Sequence, residues 1–452
     1  MLNRKFLRSR FLYICIGIVL VAFLTRVYRL SEPKAFYFDE VYHAFTATTF
    51  LHNDPKGYEY WQTPPEGVAY EWTHPPLAKL YMAGGMAIFG ENSFGWRISS
   101  ALFGTGVIAM IGVLAHALYG RKKITLLALL FASLDGLLLS MSRIAMNDMH
   151  FLFFALVAVY FYIKFRRIVF LPHTVSASVR NALLTAFFLS LSLASKWTAL
   201  YVGAGLALDM VFAIITIGKV PLKSLFISMI GALIIIPTVY LASYTQFFMQ
   251  GHTLTQWKET TQQMWWYHTG LKATHPYQSR PLQWITDTRP VWMSVDYSQN
   301  AVGVISNIYN AGNPILFWIG LATMLFVAII CTKKGVEQFG AFITEQKIRK
   351  KMTITWSVWF PLFLYGVMWI PWQFSPRIMF FYHYSPAVPF LCILTAYIFV
   401  YALDRYRRAR PFLYTGIVGM IIAFVVLFPL NTGYPMPQKY FDTVFSVFPS
   451  WK

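Results

Sequence analysis

Apolar runs recur along this chain in greater number and length than a single water-soluble core could absorb. A hydrocarbon layer about 30 Å thick needs roughly 20 mostly apolar helical residues to cross it. Measured against that length, the sequence offers eleven candidates, at about 11–24, 97–119, 124–141, 149–165, 181–195, 197–217, 224–244, 314–331, 354–370, 384–403 and 412–430. The fifth is short and almost continuous with the sixth. Basic residues precede the first, as they would in a signal peptide, but the charged stretch TRVYRLSEPK follows it in place of a small-residue cleavage site. The pattern predicts an all-α polytopic membrane protein, one integral membrane domain over 1–452 with about eleven transmembrane helices.

Charge supplies the expected orientation. Lys and Arg total 38 against 18 Asp and Glu, a formal net charge of +20 that in a soluble protein would first suggest nucleic acid. With a cytoplasmic N-terminus, however, the inside segments collect 23 of the basic residues and only three acids, Glu337, Glu345 and Asp404. This is the positive-inside asymmetry, so the excess is read as topology and no nucleic-acid partner is expected. Asp135 and Asp209 fall within spans. The reading makes 332–353 a cytoplasmic loop, and makes 25–96, 245–313 and the tail 431–452 extracytoplasmic, in a protein of the cell membrane. Cys15, Cys331 and Cys392 lie in or beside apolar runs and suit neither a disulfide framework nor a CxxC metal site.

The two large outer loops are too long to be simple connections, and such loops commonly carry function. The first opens with FYFDEVYHA. Asp39 and Glu40 are adjacent and cannot face one point on a helix, so different jobs are expected: one reaches a cavity, the other orients it. Asp39 reads either as a general base or as an N-terminal helix cap. EWTHPPLAKL follows, where His74 could contact a phosphate or stabilise the loop, and residues 77–90 read as an interfacial helix. Asp39, Glu40, His43 and His74 lack the spacing of a compact metal-ligand motif, and no metal or other cofactor is expected.

Further along, MSRIAMNDMH brings Arg143 and Asp148 to the outer surface, and SLASKWTAL brings Lys196 to the same level. HPYQSRPLQWI carries His275, Tyr277 and Arg280, and SPRIMFFYHYSPAVPF carries Arg377, His383 and Tyr384. Each cation could simply snorkel. Their convergence beside the long loops suggests instead an anion, with lipid phosphate the obvious one.

Taken together, FDEVYHA, THPPLAKL, SRIAMND, SKWTAL, HPYQSRPLQW, GNPILFW and RIMFFYHYSPAVPF, in that order from residue 38 to 390, resemble the dolichyl- or polyprenyl-phosphate-mannose protein O-mannosyltransferases, GT-C class membrane glycosyltransferases. The resemblance implies mannose transfer from a polyprenyl phosphate to Ser or Thr hydroxyls of a protein on the extracytoplasmic face, with inversion at C1. It implies Asp39 as the catalytic carboxylate with Glu40 its neighbour. It makes Arg143, Lys196, Arg280 and Arg377 candidates for the donor phosphate, which as an anionic leaving group needs cations, not a general acid. His74, Asp148, His275, Tyr277, His383 and Tyr384 are expected to contact substrate or support the site. Eukaryotic members carry a β-trefoil domain in the large loop after the seventh span; residues 245–313 are too few for one, so the chain looks like the compact prokaryotic form. Asn147 stands where an apolar residue is expected. A GT-C enzyme with a lipid or glycan acceptor is the near alternative. A transporter is disfavoured, because ionisable residues gather at the outer surface and not at mid-bilayer.

Overall fold

In the computed structural model, residues 2–171, 173–217, 221–298, 302–343 and 356–451 are described. The chain is mostly helical, and eight helices among these residues are long and apolar enough to cross a membrane: Arg10–Val27, Ser93–Tyr119, Val175–Ser195, Ala199–Ile217, Leu222–Ala242, Pro314–Lys334, Val388–Arg405 and Arg407–Thr432. The helix at 175–195 starts six residues before the expected run, because Ser176, Ser178 and Arg180 continue it. The expected cytoplasmic loop 332–353 lies outside the described residues from residue 344 on, as do Lys219 and the basic residues from Lys347 to Lys351, while its first part continues the helix Pro314–Ile343.

The remaining three apolar runs are also helical but less simple. The run 124–141 divides into Lys122–Ser133 and Gly136–Met141. Asp135 ends one and begins the other, its Oδ1 accepting from the Leu138 N–H at 2.7 Å, as an N-cap does. Gly136 is required there, since a Cβ would lie 2.4 Å from the Ala311 carbonyl oxygen. The run 149–165 is the helix Asp148–Ile168, whose charged ends lower its hydropathy. The run 354–370 is Trp356–Trp369, prolonged by a 3₁₀ turn over Ile370–Phe374.

Local signals explain the boundaries nearest the site. Ser93–Tyr119 begins where the Asn92 Oδ1 accepts from the Phe94 and Gly95 N–H groups, and it ends at Gly120 with φ +64°, a left-handed stop that favours glycine. Leu77–Phe89 packs beside it. Thr253 and Gln256 form a reciprocal capping box that starts Leu254–Gly270. The largest apolar core runs through Ser93–Tyr119, Lys122–Ser133, Asp148–Ile168 and Val388–Arg405. Leu222–Ala242 and Arg410–Thr432 turn apolar side chains outward, Leu233 and Phe412 among them, the surface a hydrocarbon solvent calls for.

Among the described residues, the second large loop holds the feature that departs from an all-helical reading. Val291–Asp296 and Val304–Asn310 pair antiparallel, and Met436–Pro437 of the C-terminal segment adds to the second strand. Branched and aromatic residues, as in VISNIYN, suit this ladder. The segment after 431 is therefore docked: it carries the helix Gln438–Val447, and the buried Trp451 donates to the Asp287 carbonyl at 2.6 Å.

The close approach of Leu77–Phe89 to Ser93–Tyr119 depends on Gly95, where a Cβ would stand 2.0 Å from the Gly90 carbonyl oxygen. Gly95→Ala is expected to cost about 1–3 kcal/mol through overpacking, read as a lowered thermal midpoint of the purified protein.

Candidate active site

Asp39 and Glu40 stand at the start of the helix Glu40–Leu51 and diverge at once. The Glu40 carboxylate is fully buried and takes a fork of two bonds from Arg97, Nε to Oε1 and Nη2 to Oε2, both 2.8 Å. The Ala145 N–H donates to it at 3.0 Å, with longer bonds from the Tyr37 N–H and the Trp96 indole. A carboxylate so occupied has little capacity left for proton transfer.

Asp39 occupies the N-cap position yet makes no side-chain cap bond, so the cap reading does not account for it. Its Oδ2 instead accepts a long 3.5 Å bond from the Tyr382 hydroxyl. Burial pushes the Asp39 carboxyl up to about 7; Lys196 and the Tyr382 bond pull it down, while Asp148 and Glu71 push it further up. Lys196 Nζ is clamped by both carboxylate oxygens of Asp148, at 2.9 and 3.0 Å, and lies 5.7 Å from the centre of the Tyr382 ring.

Behind Asp39 lies a second buried anion, Glu71. It accepts from the Lys79 ammonium, from the Thr73 hydroxyl and from His74 Nδ1 at 2.9 Å, with His43 Nδ1 at 3.6 Å. Burial works to raise Glu71, but Lys79, His74 and His43 hold it well below the usual carboxylate range. His74 thus stabilises the loop, and burial pushes its own pKa well down. Its ring stands edge-on to His268, 5.0 Å between centres. His268 donates through Nε2 to the Thr73 carbonyl at 2.8 Å and accepts at Nδ1 from Arg377. Arg377 lies 5.6 Å over the Tyr267 ring, and its buried Nε has no partner among the described residues. Among the described residues, no group of three or more His, Cys, Asp or Glu side chains has the arrangement to hold a metal ion.

Sequence comparison bears on this site. A family profile described as "Dolichyl-phosphate-mannose-protein mannosyltransferase" matches residues 16–255, and one described as "C-terminal four TMM region of protein-O-mannosyltransferase" matches 253–451. The chain belongs to the protein O-mannosyltransferase family. A "Polyprenol-phosphate-mannose--protein mannosyltransferase" of Corynebacterium glutamicum is 26% identical over 449 residues, covering 84% of this chain and 81% of the relative. One from Mycobacterium tuberculosis is 24% identical over 503 residues, covering 96% and 91%. The fold is similar to that of the S. cerevisiae protein O-mannosyltransferase Pmt1-Pmt2 complex bound to the sugar donor, with TM-score 0.77 and 14% identity over 98% of this chain and 93% of that one. It is more distantly similar to ArnT from Cupriavidus metallidurans, with TM-score 0.56 and 12% identity over 90% and 62%.

Within this protein O-mannosyltransferase fold, the residues singled out from sequence separate into two groups. Asp39, Asp148, Lys196, His74 and Arg377 gather around Tyr382 and His268. His383 stacks on Tyr382 with ring centres 4.6 Å apart, and His275 packs edge-on to Phe380, one layer out. The others lie elsewhere. Arg143 is spent on the end of the first helix, donating to the carbonyls of Arg26 at 2.8 Å and Tyr28 at 2.6 Å, with longer bonds to Thr25, Arg29 and Thr432. Arg280 is exposed beside the short helix Pro281–Trp284. Tyr277 supports Arg289, and Tyr384 hydrogen-bonds Tyr365 in the core at 2.8 Å. Sequence reasoning did not single out Tyr382, Glu71, Lys79, His268 or Arg97. Tyr382 and Glu71 both lie in motifs that stood out, but nothing in those motifs says which side chain turns inward.

Removing one partner of a buried, hydrogen-bonded ion pair strands the other charge, at about 3–5 kcal/mol. Arg97→Met is expected to destabilise the protein by that order in a denaturation measurement. Arg280→Gln should change stability by less than about 0.5 kcal/mol.

Proposed function

We propose that this chain transfers mannose from a polyprenyl-phosphate donor to Ser or Thr hydroxyls of an acceptor protein, with Asp39 as the general base. The observation that carries the reading is the divergence of the acidic pair: Glu40 is saturated by Arg97, whereas Asp39 is uncapped, raised to about 7 and faced by Lys196 and Tyr382. A base poised near the working pH has the best balance of protonation state and driving force.

In the proposed reaction the acceptor oxygen attacks C1 of the sugar as the bond from C1 to the phosphate oxygen breaks. The bonding pair leaves with the polyprenyl phosphate, and the hydroxyl proton passes to Asp39. One displacement inverts C1 through an oxocarbenium-like transition state. Of the four candidate cations, Lys196 and Arg377 are the two for the phosphate: Arg143 is committed to carbonyls and Arg280 stands apart. Arg377 retains an Nε without a partner among the described residues, and Lys196 shares its charge with Asp148.

The same reading places the Asp39 end of the bundle outside the cell membrane and the N-terminus inside, with eleven passes. End-to-end contacts support that count. Arg97 and Asp148 begin their helices at the Asp39 end, while Arg167 reaches the Leu118 carbonyl at the other. Trp356 bonds Asp209, whereas Trp369 at the far end of its helix bonds the Pro281 carbonyl. Without that helix as a pass, the second loop and the C-terminal strand could not pair in one sheet.

Mass spectrometry of peptides from cells with and without this protein tests the acceptor: hexose missing from Ser or Thr supports the proposal, and hexose missing only from lipid or polysaccharide refutes it. With purified enzyme, Asp39→Asn should lower transfer by roughly 10²- to 10⁴-fold with the thermal midpoint retained. The rate should rise with pH through about 7 and level off above it, since only the deprotonated base accepts a proton. Tyr382→Phe removes a bond that favours the carboxylate, so the midpoint of that profile should move upward. EDTA should leave turnover unchanged.

A further inference from the structure

A cavity of about 730 Å³ opens on the flank of the bundle, away from Asp39. That is within the range of about 300–1,000 Å³ usual for small-molecule sites. Leu12, Ile16 and Leu20, spaced four apart on one face of the first helix, form one wall and are each more than half exposed. Ala109 and Gly112 leave room on the facing helix Ser93–Tyr119. The groove follows the first helix from Phe11 to Phe23, about 18 Å at 1.5 Å per residue, close to the depth of one leaflet's hydrocarbon.

One end of this apolar groove is cationic. His116, Lys164 and Arg167 line it, all three are exposed, and the lining contains no acid. Lys164 follows Asp148 by sixteen residues on one helix, about 24 Å along its axis, so this mouth is at the end of the bundle opposite Asp39. Arg167 donates one Nη2 bond to the Leu118 carbonyl at 3.2 Å, which fixes its guanidinium; no other acceptor among the described residues takes its N–H groups. The Lys164 ammonium rests 4.5 Å from the centre of the Tyr160 ring. The acid nearby in the fold, Asp404, is already held by Arg121 and Lys123.

We infer that the groove binds one acyl chain of an anionic phospholipid from the leaflet opposite the Asp39 face, with the lipid phosphate at Lys164, Arg167 and His116. Charge complementarity selects this occupant. A hydrophobic helix from a second copy would fill the groove but leave the Lys164 and Arg167 cations facing no anion, whereas a phosphodiester satisfies both. Cations at an anionic lipid surface also act additively, so the two fixed side chains give selectivity for charge on top of apolar burial.

The test uses the full-length protein in nanodiscs, with native mass spectrometry reading retained dioleoyl-phosphatidylglycerol against dioleoyl-phosphatidylcholine. Wild type should prefer the anionic lipid, and the double substitution Lys164→Gln, Arg167→Gln should reduce that preference by roughly 30-fold. Both residues are exposed, so the thermal midpoint should hold. Val113→Trp, from a partly exposed lining position, should displace both lipids by filling the groove. The inference fails if the double variant keeps the wild-type preference. It fails equally if polyprenyl phosphate displaces phosphatidylglycerol, or if Val113→Trp splits a dimer and leaves lipid retention unchanged. None of these readouts depends on sugar transfer.

Discussion

The buried pair of Arg97 and Glu40 is the contact on which the Asp39 end of this bundle is built. All five N–H groups of Arg97 are used: two on Glu40 and three on the carbonyls of Leu30, Pro33 and Ala35. Glu40 in turn accepts from Ala145, so one ion pair joins the exit of the first helix, the start of Ser93–Tyr119 and the turn before Asp148. A buried charge pair stabilises little unless its remaining donors and acceptors are satisfied, and here they are. Because Glu40 cannot turn away from Arg97, the residue before it is fixed too, and Asp39 faces Tyr382 and Lys196.

Three carboxylates of the first outer loop thus meet three electrostatic fates. Glu40 is neutralised by a fork, Glu71 is held well below its usual range by Lys79, His74 and His43, and Asp39 is raised by burial. Environments that push like groups apart are how one site assigns different roles to one residue type. Glu71 serves as the fixed anion that orders two histidines, and Asp39 is left as the group whose protonation changes near neutrality. The cations divide in the same way: Arg143 is bound to carbonyls at the end of the first helix, while Lys196 and Arg377 remain in the cluster around Tyr382 and His268.

Much of this was legible in the sequence because hydrophobic length and charge asymmetry are one-dimensional signals. Runs such as 97–119 and 412–430 emerge as helices nearly where they were expected. The split at Asp135 was not legible, because an N-cap inside an apolar run leaves the composition unchanged. Asp39 and Glu40 could be assigned different jobs from adjacency alone, but Arg97 lies 57 positions from Glu40, and only folding pairs them. Tyr382 and Tyr384 show the limit at its narrowest. In the 3₁₀ turn Phe381–Tyr384 successive side chains diverge by about 120°, so Tyr382 meets Asp39 while Tyr384 enters the core with Tyr365.

The site also explains why the two halves of the chain work as one unit. Asp39, Asp148 and Lys196 come from the first 200 residues, Tyr382 and Arg377 from the last 80 and His268 from the loop between them. The seam is held elsewhere too: Asn313 donates to the Leu134 carbonyl at 2.9 Å, and Tyr58 donates to Gln246 at 3.1 Å. At its centre His268 must be neutral to accept from Arg377 while it donates to Thr73. Burial, and then Arg377 itself, pushes His268 down to about 4. Near neutral pH the imidazole therefore stays an acceptor and Arg377 keeps its orientation, so the proton balance around Asp39 can shift without disturbing that cation.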